Sequence, residues 1–492
     1  MTIRALRIDD ADNVATLLED GRAGESIVVG DLSVRLREDV AQGHKVALAA
    51  VAAGEALIKY GAPIGLATRA IAAGEHVHSD NLATALSGRI DYRYEPAPAA
   101  TPPGAATRFM GYRRADGRVG TRNEIWILPT VGCVARTSER IAAKAAAALG
   151  DAVDGVHAFM HPFGCSQLGH DLDGTRAILA SLACHPNAGG VLIVGLGCEN
   201  NQIAQLLEAV PAWRRPAIRT LVTQQSGDEV AEGCALVAEL AEAARCERSE
   251  VGLESLVLGV KCGGSDGLSG LTANPLVGRI SDRVTAAGGR VILTETPEMF
   301  GAEQVLMNRA AEPRIFEAIV GLVNDFKQYF IDHGEPVSDN PSPGNVAGGI
   351  TTLEEKSLGA VQKAGRAPVA DVIAYGARAS VAGLTLLESP GNDAVSATAL
   401  AAAGATAILF TTGRGTPLGF PVPTIKIASN SDLARRKPGW IDFDAGVVID
   451  DGFDAAEAAL LDRIADIASG AETAAERNGE REIAIWKRGV TL

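Results

Sequence analysis

The chain has 492 residues, with 45 Lys and Arg against 60 Asp and Glu, and its formal net charge is -15. This length exceeds what one ordinary hydrophobic core needs, so we predict about two or three domains. The acidity argues against a protein that binds nucleic acid through a general positive field. An anionic substrate would therefore need basic residues concentrated in a local pocket.

The number of cysteines and the polar first residues of the chain predict a protein of a reducing compartment. The seven cysteines are an odd number, and the sequence opens with the polar stretch MTIRALRIDD, so neither a secretory signal nor a disulfide framework is indicated. No apolar run approaches the roughly 20 residues that a membrane span requires. We expect a cytoplasmic protein without membrane-spanning segments.

Residues 1–90 contain short runs of alternating polarity, such as SIVVGDLSVRL, broken by glycine and acidic turns. This pattern predicts a small β-rich domain. The Pro, Ala and Thr residues between Tyr94 and Arg108 have no periodicity, which favours an extended connection. We therefore expect a linker at 91–108.

Beyond the linker, apolar strand-like runs alternate with helical stretches, as in EIWILPTVGC followed by SERIAAKAAAALG. Such alternation is typical of α/β architecture with mainly parallel sheets. A segment rich in Gly, Pro, Ser and Asn at 339–349 is either a domain boundary or a substrate loop. We predict an α/β catalytic domain at 109–340 and a second α/β domain at 341–492.

Four cysteines each follow an apolar run and stand beside a glycine: Cys133, Cys165, Cys198 and Cys262. Ligands bind outside the carboxyl ends of strands in open α/β sheets, so these thiols could converge on one crevice. Thiolates grouped in this way suit iron, zinc or an iron–sulfur cluster. The alternative is that they are small hydrophobic residues at strand ends, because no CxxC pair is present.

Histidines, glycine-rich loops and strand-end acids supply further candidates. His76 and His78 would point the same way on a strand, although an exposed polar turn explains them as well. The loops KCGGSDGLSG, SPGND and TTGRGTPLG place backbone N–H groups where an anion or a polyol could approach. Glu295 closes a predicted strand and is a candidate base or metal ligand. The substrate-binding candidates are Arg122, Ser265, Asp266, Asn392, Asp393, Thr412 and Arg414.

At these residues the sequence resembles the altronate/galactarate dehydratase family. The resemblance rests on GHKVAL, GEHVHSDN, GRVGTRNEIWILPTVGC, HPFGCSQLG, GLGCENNQ, KCGGSDGLSGLTANP, TETPEMFGAEQ, NPSPGN, GGITTLEEKSLG and TTGRGTP, which occur in order from about residue 7 to the end. It implies an N-terminal SAF-type domain joined to a large α/β catalytic region. It also implies a hydro-lyase that dehydrates a sugar acid, and the HVHxxN and CSQLG elements favour D-altronate, with 2-dehydro-3-deoxy-D-gluconate and water as products.

The family is expected to use iron(II), with manganese(II) as a replacement, acting as a Lewis acid. The positions shared with it are His44, His161, Cys165, Cys198, Glu199 and Cys262. From these we expect metal ligands among Cys165, Cys198, Cys262 and His44, and catalytic roles for His44 and His161. Glu295, at its strand end, and Arg414, a local positive charge, are further catalytic candidates. A three-cysteine iron–sulfur cluster and a mononuclear metal both remain open.

Other functions are compatible with the same motifs. The enzyme could act on galactarate, sulfolactate or another small hydroxy acid, or the chain could bind a sugar acid without catalysis. In every case the expected partner is a small-molecule acid, with no nucleic acid and no membrane. A homo-oligomer is expected.

Overall fold

We describe the protein from a computed structural model, which covers residues 2–97 and 106–489. The N-terminal domain is built from short strands. A six-stranded sheet has the order β4-β3-β1-β2-β5-β8, and a three-stranded sheet has the order β6-β7-β9. The strands are β1 (Thr2–Leu6), β2 (Val14–Leu17), β3 (Ser26–Val29), β4 (Leu32–Arg35), β5 (Lys45–Ala47), β6 (Ala56–Lys59), β7 (Ala62–Ala67), β8 (His76–Val77) and β9 (Leu82–Ala83).

The predicted linker at 91–108 lies partly outside the described residues. Its first residues run along the surface of the C-terminal region. The Tyr94 hydroxyl donates to the carbonyl of Ala310 at 3.1 Å, and the Tyr92 hydroxyl bonds the carboxylate of Glu303. Side-chain anchors therefore hold the start of this connection.

The middle region carries a four-stranded parallel sheet of order β13-β12-β14-β15. A small antiparallel sheet, β11-β10-β16, stands beside it. The strands are β10 (Arg108–Arg113), β11 (Val119–Gly120), β12 (Glu124–Pro129), β13 (Gly155–Ala158), β14 (Ala188–Gly195), β15 (Ile218–Val222) and β16 (Ser249–Gly252). The helices are α1 (Ala135–Leu149), α2 (Gly169–Ala183), α3 (Ile203–Glu208) and α4 (Glu229–Ala243).

Strands of the four-stranded sheet read as nearly continuous apolar runs because both faces of the sheet are covered. Helices α1 and α4 bury Ile141 and Val237 against one face. Helices α2 and α3 bury Ile178 and Leu206 against the other face. The layer order is helix, sheet, helix, as the alternating sequence predicts.

A seven-stranded parallel sheet organises the C-terminal region, with the order β19-β20-β18-β17-β21-β22-β23. Its strands are β17 (Val257–Cys262), β18 (Arg290–Leu293), β19 (Val369–Ile373), β20 (Gly383–Leu387), β21 (Ala407–Thr412), β22 (Thr424–Ala428) and β23 (Phe443–Asp444). The helices are α5 (Ala273–Ala286), α6 (Glu303–Met307), α7 (Pro313–Asp332), α8 (Pro343–Ala347), α9 (Leu353–Ala360), α10 (Asp393–Ala402), α11 (Ser431–Arg436), α12 (Val448–Asp451), α13 (Phe453–Ala468) and α14 (Ala474–Arg477).

The division predicted at 340/341 does not coincide with a division between sheets. Strands β17 and β18 precede residue 340, β19 to β23 follow it, and all of them pair in one sheet. The polar segment at 339–349 contains the short helix α8, and the Asn345 side chain donates to the carbonyl of Ser265 in the loop after β17. This segment is a loop over the carboxyl edge of the sheet.

The predicted fold class is confirmed: a small β-rich N-terminal domain precedes a large α/β region with mainly parallel sheets. The two parts are joined by buried ion pairs. Glu355 accepts hydrogen bonds from Lys45 at 2.8 Å and Lys59 at 2.9 Å, and all three side chains are buried. Among the described residues, no helix has both the length and the apolar character needed to cross a membrane.

Candidate active site

The seven-stranded sheet has a topological switch point between β17 and β21. The chain leaves β17 toward β18 on one side and leaves β21 toward β22 on the other, so the two following loops separate and open a crevice. A Cβ atom at Gly264 would lie 3.5 Å from Thr412 Oγ1 and 3.6 Å from Arg414 Cβ. The loops KCGGSDG and TTGRG therefore meet at this crevice.

A pocket of about 590 Å³ opens beside the crevice. Its volume lies within the range of pockets that enclose small ligands. The walls come from the ends of β17, β18 and β20 and from the polar segment with α8. They comprise Cys262, Gly263, Gly264, Pro297, Glu298, Phe330, Val337, Asp339, Asn340, Pro341, Ser342, Pro343, Asn345, Leu353, Lys356, Gly391 and Asp393.

Glu295 lies behind this pocket in a left-handed backbone conformation, with φ at 68°. A non-glycine residue adopts this conformation at a cost, and such strain concentrates at functional sites. The buried carboxylate accepts a hydrogen bond from Lys261 Nζ at 2.9 Å and another from the Cys262 backbone N–H at 3.0 Å. Lys261 also donates to Asp393 Oδ1 at 2.7 Å, which connects Glu295 to the pocket wall.

Cys262 and Glu298 form a second buried pair at the pocket wall. The Cys262 thiol lies 3.0 Å from Glu298 Oε2, and Lys363 Nζ lies 2.9 Å from the same sulfur. Lys356 binds the other oxygen of Glu298 at 2.7 Å and the side chain of Asn340 at 2.9 Å. The network thus contains acids, ammonium groups and one thiol in a site mostly removed from water.

Burial and neighbouring charges shift the acid–base properties of these groups. Burial, reinforced by the charge of Glu298, raises the pKa of Glu295 to about 7. Burial also raises the pKa of the Cys262 thiol to about 12, and Glu298 again adds to the effect. Burial alone would raise the pKa of Glu298, but the ammonium groups of Lys356 and Lys363 overcome it and hold this pKa low. Neighbouring acids therefore have separated proton affinities, as active sites require.

Cys262, Glu295 and Glu298 also form a candidate metal centre. One ligand atom from each lies within 4.8 Å of the others, and all three residues are buried. In the metal-free network the carboxylates of Glu295, Glu298 and Asp393 face the ammonium groups of Lys261, Lys356 and Lys363. Above about pH 7, where Glu295 is ionised, these charges balance while the thiol stays protonated. The donor set suits a borderline divalent ion, which would displace the thiol proton.

His44 lies in a cluster of imidazoles from the N-terminal domain, not in the Cys262 group. Its Nδ1 is 3.0 Å from His76 Nε2, and the rings of His44, His76 and His78 are 5.1 to 5.4 Å apart. Burial and the neighbouring His44 and His78 lower the pKa of His76 to about 4. His78 Nε2 lies 3.0 Å from the carbonyl of Val346, so the cluster contacts α8 from the side of the N-terminal domain.

The other strand-end cysteines belong to a different sheet. Cys133, Cys165 and Cys198 follow β12, β13 and β14 of the four-stranded sheet, whereas Cys262 ends β17 of the seven-stranded sheet. The four cysteines therefore lie at the edges of two sheets and do not share the carboxyl edge of one. Similar apolar runs form strands in both sheets, and the sequence pattern does not show to which sheet a strand belongs.

His161 and Glu199 support the loops that carry these three cysteines. His161 is buried, with Nε2 2.8 Å from the carbonyl of Pro129, while Nδ1 accepts the backbone N–H of Phe163. Burial lowers the pKa of His161, which favours the neutral ring. Glu199 accepts hydrogen bonds from Thr130 at 2.6 Å and from the loop after β14. These contacts place both residues in the middle region.

Most predicted substrate-binding residues lie at the crevice, but they differ in how far their polar groups are already engaged by the protein. Asp393 lines the pocket, and Arg414 is exposed with one donor bonded to the carbonyl of Gly344 at 3.3 Å. Thr412 accepts the backbone N–H of Gly415, and Asn392 caps helix α10. The carbonyl of Ser265 holds Asn345, and Asp266 ties this loop to Ser269, Ser429 and Asn430.

Arg122 lies away from this crevice. Its guanidinium binds both oxygens of Glu476 at 2.9 and 3.0 Å, and its remaining donors reach the carbonyls of Thr121, Ile467 and Ala471. Every N–H of the group is thus used within the fold. The sequence predicts a substrate contact for Arg122, whereas its contacts in the structure connect the middle region to the C-terminal region.

Sequence reasoning missed the lysines of the pocket. Lys261 lies within the apolar strand VLGVKC, and it is fully buried. A charged residue in a strand covered on both faces is unusual and is retained when it is paired. That pattern was a usable signal for Lys261. Lys356 and Lys363 lie in helical sequence, where lysine is ordinary, so no comparable signal marked them.

Three family models match successive parts of the chain. They are the Altronate/galactarate dehydratase SAF domain at residues 3–85, the D-galactarate dehydratase/Altronate hydrolase second domain at 111–245, and the D-galactarate/Altronate dehydratase C-terminal domain at 253–491. The first matches the β-rich domain, and the other two contain the four-stranded and seven-stranded sheets respectively.

Curated relatives match along the whole chain. The altronate dehydratase of Escherichia coli strain K12 is 51% identical, and that of Bacillus subtilis strain 168 is 48% identical, each over 99% of both chains. The galactarate dehydratase (L-threo-forming) of Escherichia coli strain K12 is 33% identical over 90% of this chain and 88% of its own. The chain therefore belongs to the altronate/galactarate dehydratase family.

Proposed function

We propose that the protein is a hydro-lyase that converts D-altronate to 2-dehydro-3-deoxy-D-gluconate and water. The observation that carries the proposal is a pocket that combines a candidate metal group with acids of separated pKa, in a chain matched end to end by relatives named for this activity. Dehydration of an aldonate removes the proton beside the carboxylate and expels the neighbouring hydroxyl. Such chemistry needs an acceptor for the proton, a donor for the hydroxyl and stabilisation of the intermediate anion.

Charge balance supports an iron(II) or manganese(II) ion at Cys262, Glu295 and Glu298. With Glu295 ionised, as it is above about pH 7, the network is balanced without a metal, so an aldonate alone would add an uncompensated negative charge to a buried site. A divalent ion and a Cys262 thiolate together add one positive charge, which the substrate carboxylate then neutralises. When bound, the ion would act as a Lewis acid that stabilises negative charge on the substrate.

Asp393 is the candidate acceptor for the proton from the substrate. It faces the pocket, with a third of its side chain exposed, and its Oδ1 accepts a hydrogen bond from Lys261 at 2.7 Å. Lys261 also donates to Glu295, which stays ionised as a metal ligand. Asp393 takes the proton at the pocket wall, and Lys261 keeps its carboxyl group in place for the transfer.

Lys356 is the candidate donor to the departing hydroxyl. Its ammonium lines the pocket between Glu298 and Asn340. Donation of a hydrogen bond from a charged amine lowers the barrier for loss of hydroxide. Arg414 at the rim of the crevice is a candidate contact for the substrate carboxylate. His44 is a candidate for proton exchange on the side of the N-terminal domain.

We further propose a homo-oligomer in a reducing cytoplasm. All seven cysteines are free thiols, which supports a reducing location. Light scattering of the purified protein tests the oligomeric state, and a monomer at micromolar concentration would contradict the proposed homo-oligomer.

The substrate assignment is tested with a panel of acids under anaerobic, reducing conditions. Metal-free enzyme supplied with iron(II) is mixed with D-altronate, galactarate and sulfolactate, and the products are identified by mass spectrometry and NMR. We expect the highest kcat/KM for D-altronate, with loss of one water per molecule. The chelated enzyme is the control. Turnover of galactarate or sulfolactate alone, or binding of D-altronate without turnover, would contradict the proposal.

A further inference from the structure

We propose that Cys133, Cys165 and Cys198 form a second metal centre, a three-cysteine site for an iron–sulfur cluster in the middle region. The three thiols follow β12, β13 and β14, which are adjacent in the sheet order β13-β12-β14. Since parallel strands present their carboxyl ends at one edge, all three thiols lie at the same edge of one sheet. This centre is distinct from the Cys262 group at the other sheet.

Hydrogen bonds lock the three cysteine loops together. The backbone N–H of Gly132 donates to the carbonyl of Phe163 at 2.9 Å, and the N–H groups of Asn200 and Asn201 both reach the carbonyl of Gly164 at 3.1 Å. Gly132 and Gly164 immediately precede Cys133 and Cys165 in the chain. The loop after β14, which carries Cys198, therefore closes on the loop of Cys165, and that loop closes on the loop of Cys133.

Backbone geometry at the loops follows from this close approach. Gly164 has φ at 99°, and a Cβ there would lie 2.1 Å from the carbonyl oxygen of Thr130. Ser166, which follows Cys165, holds φ at 55°, a conformation that non-glycine residues rarely adopt. Its backbone N–H donates to the side chain of Asn200 at 2.7 Å. The strained turn thus fixes Cys165 against the loop that carries Cys198.

All three thiols are free and exposed, although cysteine is among the residues most often buried. Long helices begin soon after two of them, α1 after Cys133 and α2 after Cys165. Helix N-termini stabilise negatively charged ligand sets such as metal-bound thiolates. Cys198 has in addition a polar neighbour, because Gln224 Nε2 lies 3.5 Å from its sulfur, and hydrogen bonds of this kind tune cluster sulfurs.

The three sulfurs do not form a compact group suited to a single ion. Within the described residues, the group whose ligand atoms all lie within 4.8 Å of one another is Cys262 with Glu295 and Glu298, so at least one pair of these three sulfurs is farther apart than that. A single zinc or iron ion needs its thiolates closer together than a multi-iron cluster does, and we therefore propose the cluster. Three cysteines would hold three irons of a four-iron cluster, and the fourth iron would take a ligand other than cysteine. Each thiol loses its proton as it binds iron.

The test measures bound iron and sulfide rather than turnover. The full-length protein is purified anaerobically, reconstituted with sulfide and equal amounts of iron(II) and iron(III), and desalted. It is then analysed for iron, acid-labile sulfide and visible absorption, and for electron paramagnetic resonance after reduction. We expect about four sulfides per chain. Cys133→Ser, Cys165→Ser and Cys198→Ser should each lose most of the sulfide and the charge-transfer absorption, with circular dichroism unchanged.

Two further variants serve as matched controls. Cys246→Ser removes an exposed thiol elsewhere in the middle region, and Cys262→Ser removes the thiol of the pocket, so both should keep the cluster. Retention after Cys262→Ser also separates this inference from the proposed function, whose failure would leave the cluster intact. Zinc without sulfide, no sulfide after reconstitution, or sulfide retained in all three cluster variants would overturn the proposal.

Discussion

Metal binding at Cys262 should release protons in a way that depends on pH. The thiol has a pKa of about 12 and Glu295 has a pKa of about 7 in the metal-free protein. Both groups must lose their protons to act as ligands. Above pH 7 only the thiol proton remains to be displaced, so manganese(II) affinity should rise about tenfold per pH unit. Below pH 7 two protons are displaced, and the rise should approach about a hundredfold per unit.

Isothermal titration calorimetry measures these protons directly. Manganese(II) is titrated into metal-free enzyme in buffers with different ionisation enthalpies, and the slope of observed heat against buffer heat gives the number of protons released. We expect about one proton at pH 8 and about two at pH 6. Manganese is preferred for this assay because it resists oxidation by air.

Variants separate the thiol from other sources of protons. Cys262→Ser should weaken the affinity at least about tenfold and release one proton fewer at every pH, because a serine hydroxyl does not ionise in this range. Cys184→Ser is the matched control, since Cys184 is also buried and has a raised pKa but lies in the middle region. Proton release that is absent in the wild type, or unchanged in Cys262→Ser, would contradict a metal centre that binds the Cys262 thiolate.

Three other substitutions test single features of the structure. Glu295→Gln removes a charged ligand of the candidate metal centre and should weaken manganese(II) affinity at least about tenfold; an unchanged affinity would contradict its place in that centre. Arg122→Ala leaves the buried Glu476 without its main partner and should lower the free energy of unfolding in urea by about 3 kcal/mol, whereas KM for D-altronate stays constant; a raised KM at normal stability would restore a substrate role. Glu355→Gln should lower the free energy of unfolding by about 3–5 kcal/mol, because it leaves two buried lysines of the N-terminal domain without their carboxylate partner. A melting temperature equal to that of the wild type would contradict this expectation.

Periodicity and motif order were sufficient to predict the fold class. The apolar run before Cys133 and the helical run after it, for example, became β12 and α1. The boundary at 340/341 was harder to predict, since a polar segment rich in Gly and Pro looks the same whether it separates domains or forms a loop over a sheet. Only the pairing of β17 with β21, which are about 150 residues apart, distinguishes these cases.

The sequence predicts those residues of the site whose type is unusual for their position. Glu295 and Cys262 end apolar strands, and the structure places both beside the pocket. Arg122 was misjudged because its partner Glu476 lies far along the chain, so a buried structural arginine looked like an anion-binding one. The lysines that set the charge balance of the pocket reach it from separate elements, and tertiary packing alone brings them to the two glutamates.

The most direct test of the account is turnover of D-altronate by metal-free enzyme titrated with iron(II) under anaerobic conditions, comparing wild type with Cys262→Ser. We expect wild-type activity to appear in proportion to bound iron, with 2-dehydro-3-deoxy-D-gluconate as product. Cys262→Ser should need at least about tenfold more iron for half-maximal activity. Equal iron dependence of the two proteins, or full turnover without metal, would contradict a metal-assisted dehydration at this pocket.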